Sequence, residues 1–394
     1  MAEMMNEDRV QRLLELAMKI RSGQADKEYI ESFNDDLEQV GPQEVMEIEF
    51  RQLNQGIEST EVLTYLDKLI HLFHKGLSKK TWKEPEPGTF LGVLRAENDE
   101  LRKRMQEIKQ ILKKKNISAD RPLLIDKISA LMEIEKHYLK KENILFPYME
   151  KKQDRFLGLS IMWELHDVSK KSIQSVLADL KDGDDQKLNS DIGKMFFNLI
   201  GLTQKEEWIL FPSAIEMFTE EEFQEMLHQS FEYGFSFIEA PAIMEELEAK
   251  ETKPSWTEWS YQTDTGSLSY EQLTMLLSNL PIDLTLVDEN NKVRYFSKPK
   301  ERFFPRSAAA IGRDVSQCHP PQSVGKVLEI LESFRRGEKD IARFWIRIKG
   351  RLLLIQYFAL RDTKGDYKGV LEASQDITEI QELEGESRLV DWKN

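Results

Sequence analysis

The sequence predicts a multidomain chain: an all-α helical domain plus a four-helix bundle, followed by an α+β domain. Three observations predict it. Apolar residues fall at helical spacing through roughly the first 240 residues, a helical hairpin recurs within that part, and alternating strand-like runs fill the last third. The recurrence is Ile144-Leu-Phe-Pro147, which returns 65 residues later as Ile209-Leu-Phe-Pro212. A second echo lies upstream of each copy, where Ala96-Glu-Asn98-Asp-Glu-Leu resembles Glu164-Leu-His166-Asp-Val-Ser at an offset of 68. Two hairpins at near-equal spacing are what a duplicated four-helix bundle leaves in a sequence.

Composition narrows the class. The 394 residues are enough for two or three domains with cores of their own. A content of 40% hydrophobic and 32% charged residues suits a soluble protein rich in solvated helices. The net charge of −15 argues against general nucleic-acid binding. No apolar run reaches membrane-spanning length, and the first residues lack the basic and apolar regions of a signal peptide. The single cysteine, Cys318, excludes an intramolecular disulfide framework and suits a reducing cytoplasm.

Residues 1–82 read as a small helical domain. Val10, Leu13, Leu14, Leu16, Ala17 and Ile20 mark the first helix, which Gly23 ends. Further helices are predicted near 27–40, 42–54 and 59–79. His71 and His74 share one face of the last, with no acidic ligand beside them, so packing or exposure is expected. Lys83-Glu-Pro-Glu-Pro-Gly88 is a linker, since its prolines and glycine cannot continue a helix. The bundle follows over 89–246, with helices near 89–115, 123–150, 155–182 and 187–217 and a further one from Glu220 to Phe237. The basic run 112–116 caps the first helix end.

The bundle resembles the hemerythrin-like, HHE-type cation-binding domain, on the paired Ile-Leu-Phe-Pro hairpins and their upstream echoes. The resemblance implies a di-iron site on paired His-x-x-x-Glu helices, since residues i and i+4 lie within about 40° on a helix and can share one metal. Here that pattern is broken. His137 is followed at i+4 by Lys141, and Glu206 has Leu202 where the histidine is expected. His166 survives, whereas its counterpart is Asn98, and the helix-one histidines correspond to Thr89 and Gly92. Glu142, at i+5 from His137, lies about 140° away on a regular helix; Glu97 and Glu207 likewise stand at other angular positions. A di-iron centre is therefore not expected. His137, His166 and Glu206 remain as a candidate residual site for one iron or zinc ion.

Residues 247–268 are polar, without apolar period, and read as a second linker. Beyond it come a short helix (Leu273, Leu276, Leu277, Leu280), a hairpin of 283–288 with 292–297, a helical middle from Val324 to Phe334, and strands at 342–348, 351–360 and 367–378. This order, closed by Asp376-Ile-Thr378, resembles a PAS sensory domain over 269–382, with 383–394 as a tail. Gly312-Arg-Asp-Val-Ser-Gln-Cys-His-Pro-Pro-Gln-Ser323 resembles in particular the PAS module that accompanies hemerythrin-like bundles. The resemblance implies a cavity for haem, flavin or a small metabolite. Cys318 and His319 are its candidate ligand residues, both being haem ligands, and neighbours on an extended segment point opposite ways, so at most one faces the cavity. Without a cofactor, Phe344, Ile346, Leu354 and Tyr357 are expected to fill it.

No phosphate-binding loop, nucleophile elbow or kinase signature occurs, so no enzyme is expected. The expectation is a cytoplasmic sensor or signal relay, acting as a homodimer or through a protein partner, without nucleic acid or a membrane span. The alternative is an iron- or dioxygen-binding protein with a residual metal site.

Overall fold

The computed structural model describes residues 5–80, 82–113, 117–153, 159–183, 185–241, 260–299, 302–304, 306–319, 321–348 and 350–385. The end of the basic run at 114–116, most of the second linker and most of the C-terminal tail lie outside them. The chain divides into two units between Ala249 and Lys250.

In the first unit, helices α1 (Glu7–Arg21), α2 (Lys27–Glu31), α3 (Asn34–Gln39), α4 (Pro42–Asn54) and α5 (Ser59–Leu77) form the N-terminal segment. All six apolar residues picked out in α1 are buried. The helix expected over 27–40 is two helices. Ser32 Oγ donates to the Tyr29 carbonyl at 2.6 Å, a local bond that competes with helix continuation, and Phe33 turns into the core.

The bundle has four rods. The first is α6 (Phe90–Lys113). The second runs through α7 (Ile117–Ala130), a 3-10 turn (Leu131–Ile134), α8 (Glu135–Lys140), a π turn (Lys141–Leu145) and α9 (Phe146–Lys152). The third is α10 (Ser160–Asp182). The fourth joins α11 (Asp185–Lys205) through a π turn (Glu206–Leu210) to α12 (Phe211–Met217). The two π turns occupy matching positions of the repeat, each just ahead of its Phe-Pro. Proline brings no N–H and crowds the carbonyl four residues back, and a widened turn relieves both. Accordingly the Phe146 N–H bonds the Lys141 carbonyl and the Phe211 N–H that of Glu206, each reaching back five residues.

Helix α13 (Glu220–Ser230) follows, shorter than expected. The chain leaves it as irregular backbone through Gly234 (φ 72°) and Phe237 (φ 65°). One continuous apolar core runs from Val10 in α1 to Tyr233, so the N-terminal helices and the bundle share an interior.

In the second unit, β1 (Ser260–Thr263) and β2 (Gly266–Ser269) pair as a hairpin with Tyr261 opposite Leu268. This corrects the linker expected over 247–268: the hairpin is short and its strands are largely exposed, so it leaves no apolar period. Helix α14 (Tyr270–Asn279) leads to a five-stranded antiparallel sheet of β3 (Asp283–Asp288), β4 (Val293–Phe296), β5 (Ile341–Ile348), β6 (Arg351–Arg361) and β7 (Tyr367–Asp376), ordered β4-β3-β7-β6-β5. Helix α15 (Pro321–Arg335) covers one face, burying Val327, Leu331 and Phe334 against Val287, Ile355, Tyr357 and Val370. A short helix, α16 (Thr378–Gln381), follows β7.

Candidate functional site

The bundle interior holds a connected group of buried charges. His137, on α8, places Nδ1 2.8 Å from Glu97 Oε2 and Nε2 3.0 Å from Glu206 Oε2. Both ring nitrogens therefore face carboxylates, so His137 links Glu97 on one rod to Glu206 on another. Lys140 Nζ bonds Glu97 Oε1 at 2.8 Å and the Gly234 carbonyl at 2.7 Å, and Lys141 Nζ bonds Glu206 Oε1. Asn98 Nδ2 adds a 2.8 Å bond to Glu206 Oε2. The irregular chain after α13 closes over this group: Ser236 N donates to Glu97 Oε1 at 2.7 Å, and Ser236 Oγ accepts from His137 N at 2.9 Å.

Of the three residues singled out as a metal set, His137 and Glu206 come together. His166 bonds Glu142 instead, Nδ1 to Oε1 at 2.6 Å. That pairing corrects the expected placement of Glu142 on another angular face. The π turn rotates the chain less per residue than an α-helix, which brings both Lys141 and Glu142 inward. Glu97 was also misplaced by angular reasoning. Its signal was available: it stands between Leu94 and Leu101, at i−3 and i+4 on a buried apolar face. Nothing in the sequence marked Ser236, whose role depends on how the chain returns after α13.

The electrostatics follow from burial and partners. Burial pushes the Glu206 carboxyl up, but Lys141 and His137 outweigh it and hold the group down at about 2. Glu97 is likewise lowered, burial being outweighed by His137 and Lys140. Burial lowers both lysines against the pull of their carboxylates. Glu142 is different, because burial there dominates and raises it to about 8. His166 is driven well below its ordinary value by burial, then by Lys141 and His137. The pair is thus a neutral carboxyl donating to a neutral imidazole. His166 stacks on Tyr138 at 4.3 Å and 6°, and its Nε2 is buried without a hydrogen-bond partner.

The C-terminal domain has a smaller polar group on the inner side of its sheet. Glu372 of β7 pairs across the sheet with Tyr357 of β6 and forms a 3.1 Å ion pair with Arg306, both side chains about nine-tenths buried. His319 lies within electrostatic reach of the two. Burial lowers its pKa, Glu372 opposes and Arg306 adds, and its Nε2 is buried without a partner. Its neighbour Cys318 packs beside the apolar core, with Sγ 3.5 Å from the Asp314 carbonyl. Of the expected cavity fillers, Ile346 and Tyr357 face the core and Phe344 stacks on Tyr357 at 6.0 Å. Leu354 does not. It alternates with Ile355 and pairs with Trp345 on the opposite face.

Two families match the chain: the hemerythrin HHE cation binding domain over residues 89–222 and a PAS domain over 273–378. The chain carries a hemerythrin-like domain and a C-terminal PAS domain. Its N-terminal helices precede the pair in a three-part arrangement, and a PAS domain makes it, in general terms, a sensory protein. No curated protein matches it. Among solved structures, a C-terminal domain from Streptococcus mutans is 33% identical over 32% of this chain and 98% of that one, with a TM-score of 0.31. A sensory box sensor histidine kinase from Vibrio cholerae is 14% identical over 27% and 89%, with a TM-score of 0.22. The PAS domain of BvgS from Bordetella pertussis is 19% identical over 28% and 88%, with a TM-score of 0.24.

The hemerythrin-like bundle does not present a donor set suited to its family's metal. Both nitrogens of His137 are engaged by carboxylates, and the oxygens of Glu97 and Glu206 are met by ammonium, imidazole and amide donors. At Gly92 a Cβ would stand 2.0 Å from the Glu86 carbonyl, so the Pro-Gly linker occupies the space a histidine needs. Among the described residues, no group of three or more His, Cys, Asp or Glu is arranged to hold a metal ion.

Proposed function

We propose that this hemerythrin–PAS protein is a non-catalytic signal relay whose PAS domain takes a small polar metabolite beside His319, Arg306 and Glu372. The observation that carries this reading is a buried ion pair with an unpartnered imidazole nitrogen next to it in the domain interior. Buried polar groups are ordinarily satisfied, so an orphaned nitrogen beside a guanidinium and a carboxylate suits a ligand with both donors and acceptors. A porphyrin face needs apolar walls, and His319 has charged neighbours instead. Cys318, bonded toward a backbone carbonyl, is the poorer ligand of the two.

The relay acts by self-association or through a protein partner. Helix α14 supports self-association: none of its residues is buried, and Leu276 is 46% exposed. The charged composition and the single cysteine suit a cytoplasmic protein. Among the described residues no helix is long and apolar enough to cross a membrane.

Native mass spectrometry of the purified full chain, paired with haemin titration, tests the ligand. A small molecule retained by the wild type and by Cys318→Ala, and lost from His319→Ala and Glu372→Ala, is the expected result. Retention by all four proteins would remove the cluster from the site. A Soret band lost on His319→Ala would assign the pocket to haem.

A further inference from the structure

Lys141 stands at the i+4 position where a His-x-x-x-Glu helix carries its metal-binding carboxylate. Its side chain is fully buried, its ammonium bonds Glu206 from the opposite rod, and it sits 4.8 Å over the Tyr138 ring. One residue earlier, Lys140 is equally buried and neutralises Glu97. Two carboxylates thus face two ammoniums, with His137 bridging the carboxylates. A metal ion entering here would add two positive charges to a group already balanced, and would have to displace donors from every carboxylate oxygen it needs. The ammonium does what a cation does in such a core, drawing carboxylates from different helices together, but it is covalently attached and cannot dissociate.

We propose that Lys141, seconded by Lys140, is a built-in cation that stands in the place of the bundle's metal, making closure of the bundle independent of metal supply. Two consequences follow. The wild type has no use for a divalent ion in its core. Replacing Lys141 by glutamate removes the blocking charge and restores the His-x-x-x-Glu spacing, which gives a metal His137, Glu206 and the new carboxylate.

Thermal unfolding and cobalt uptake of the full chain test this, with Co(II) as the probe because its visible bands report the ligand field. The wild type should bind cobalt only sub-stoichiometrically, with a Tm unchanged by Co(II) or EDTA. Lys141→Glu should take up about one Co(II) per chain and gain Tm on its addition. Lys141→Met should lose about 10 °C through the stranded Glu206 carboxylate, and Lys141→Met with Glu206→Gln should regain most of it. Stoichiometric cobalt in the wild type that is lost in His137→Ala would overturn the proposal. So would a folded Lys141→Glu protein that takes up no cobalt, or a double variant no more stable than Lys141→Met.

Discussion

At the scale of single residues, Glu142 and His166 give stability pH dependences of opposite sign. A carboxyl raised to about 8 in the folded chain takes up its proton more readily there than when unfolded, so its contribution to stability is lost as pH rises from the ordinary carboxylate range through about 8. A histidine held well below its ordinary value acts in the opposite sense, and its contribution is lost as pH falls below about 6.5. Below that point the two slopes oppose each other. Between about 6.5 and 8 Glu142 is the one of the two that titrates, and its contribution falls as pH rises. Glu142→Gln keeps a donor for His166 Nδ1 and removes the titration. Urea unfolding at several pH values should show a steeper decline between about 6.5 and 8 in the wild type than in the variant; equal slopes in the two would remove Glu142 as the cause.

At the scale of elements, the second π turn is gripped from outside the bundle. Lys205, just ahead of it, forms a 2.7 Å buried ion pair with Glu49 of α4, and Trp208 within it packs 4.5 Å from His74 of α5. Both His71 and His74 are exposed, and His74 adds the ring contact with Trp208. These contacts hold the turn that presents Glu206. Truncating one partner strands a buried charge, so Glu49→Ala should cost about 3–5 kcal/mol of unfolding free energy. Glu49→Leu with Lys205→Met should recover most of that loss. If the double variant is as unstable as the single, the pair is not what links the N-terminal helices to the bundle.

At the scale of the whole molecule, the outer face of the PAS sheet and helix α14 stand open within their own unit. Ile341 and Trp345 of the edge strand β5 are 54% and 65% exposed, and the stripe of Leu273, Leu276, Leu277 and Leu280 is at best half-buried. Large apolar residues gathered in this way mark interaction surfaces. Light scattering of the full chain should give twice the single-chain mass of 46.1 kDa, with Leu276→Glu moving it toward one chain. A wild type that scatters as one chain at micromolar concentration would leave the dimer without support.

The sequence by itself determined what depends on local periodicity. Helical spacing in the first part, the duplicated Ile-Leu-Phe-Pro hairpin and the strand alternation before Asp376-Ile-Thr378 were enough for both matched domains. It also named His137 and Glu206, which meet. Tertiary structure decided the rest, because the site is set by geometry that a regular helix does not predict. A widened turn brought Lys141 and Glu142 into the interior together, and Lys140 found its partner, Glu97, on another rod. Ser236 entered only because irregular backbone after α13 folds back over α6 and α8. A run of letters fixes which residues are charged. Which of those charges meet without water between them is settled when the rods pack.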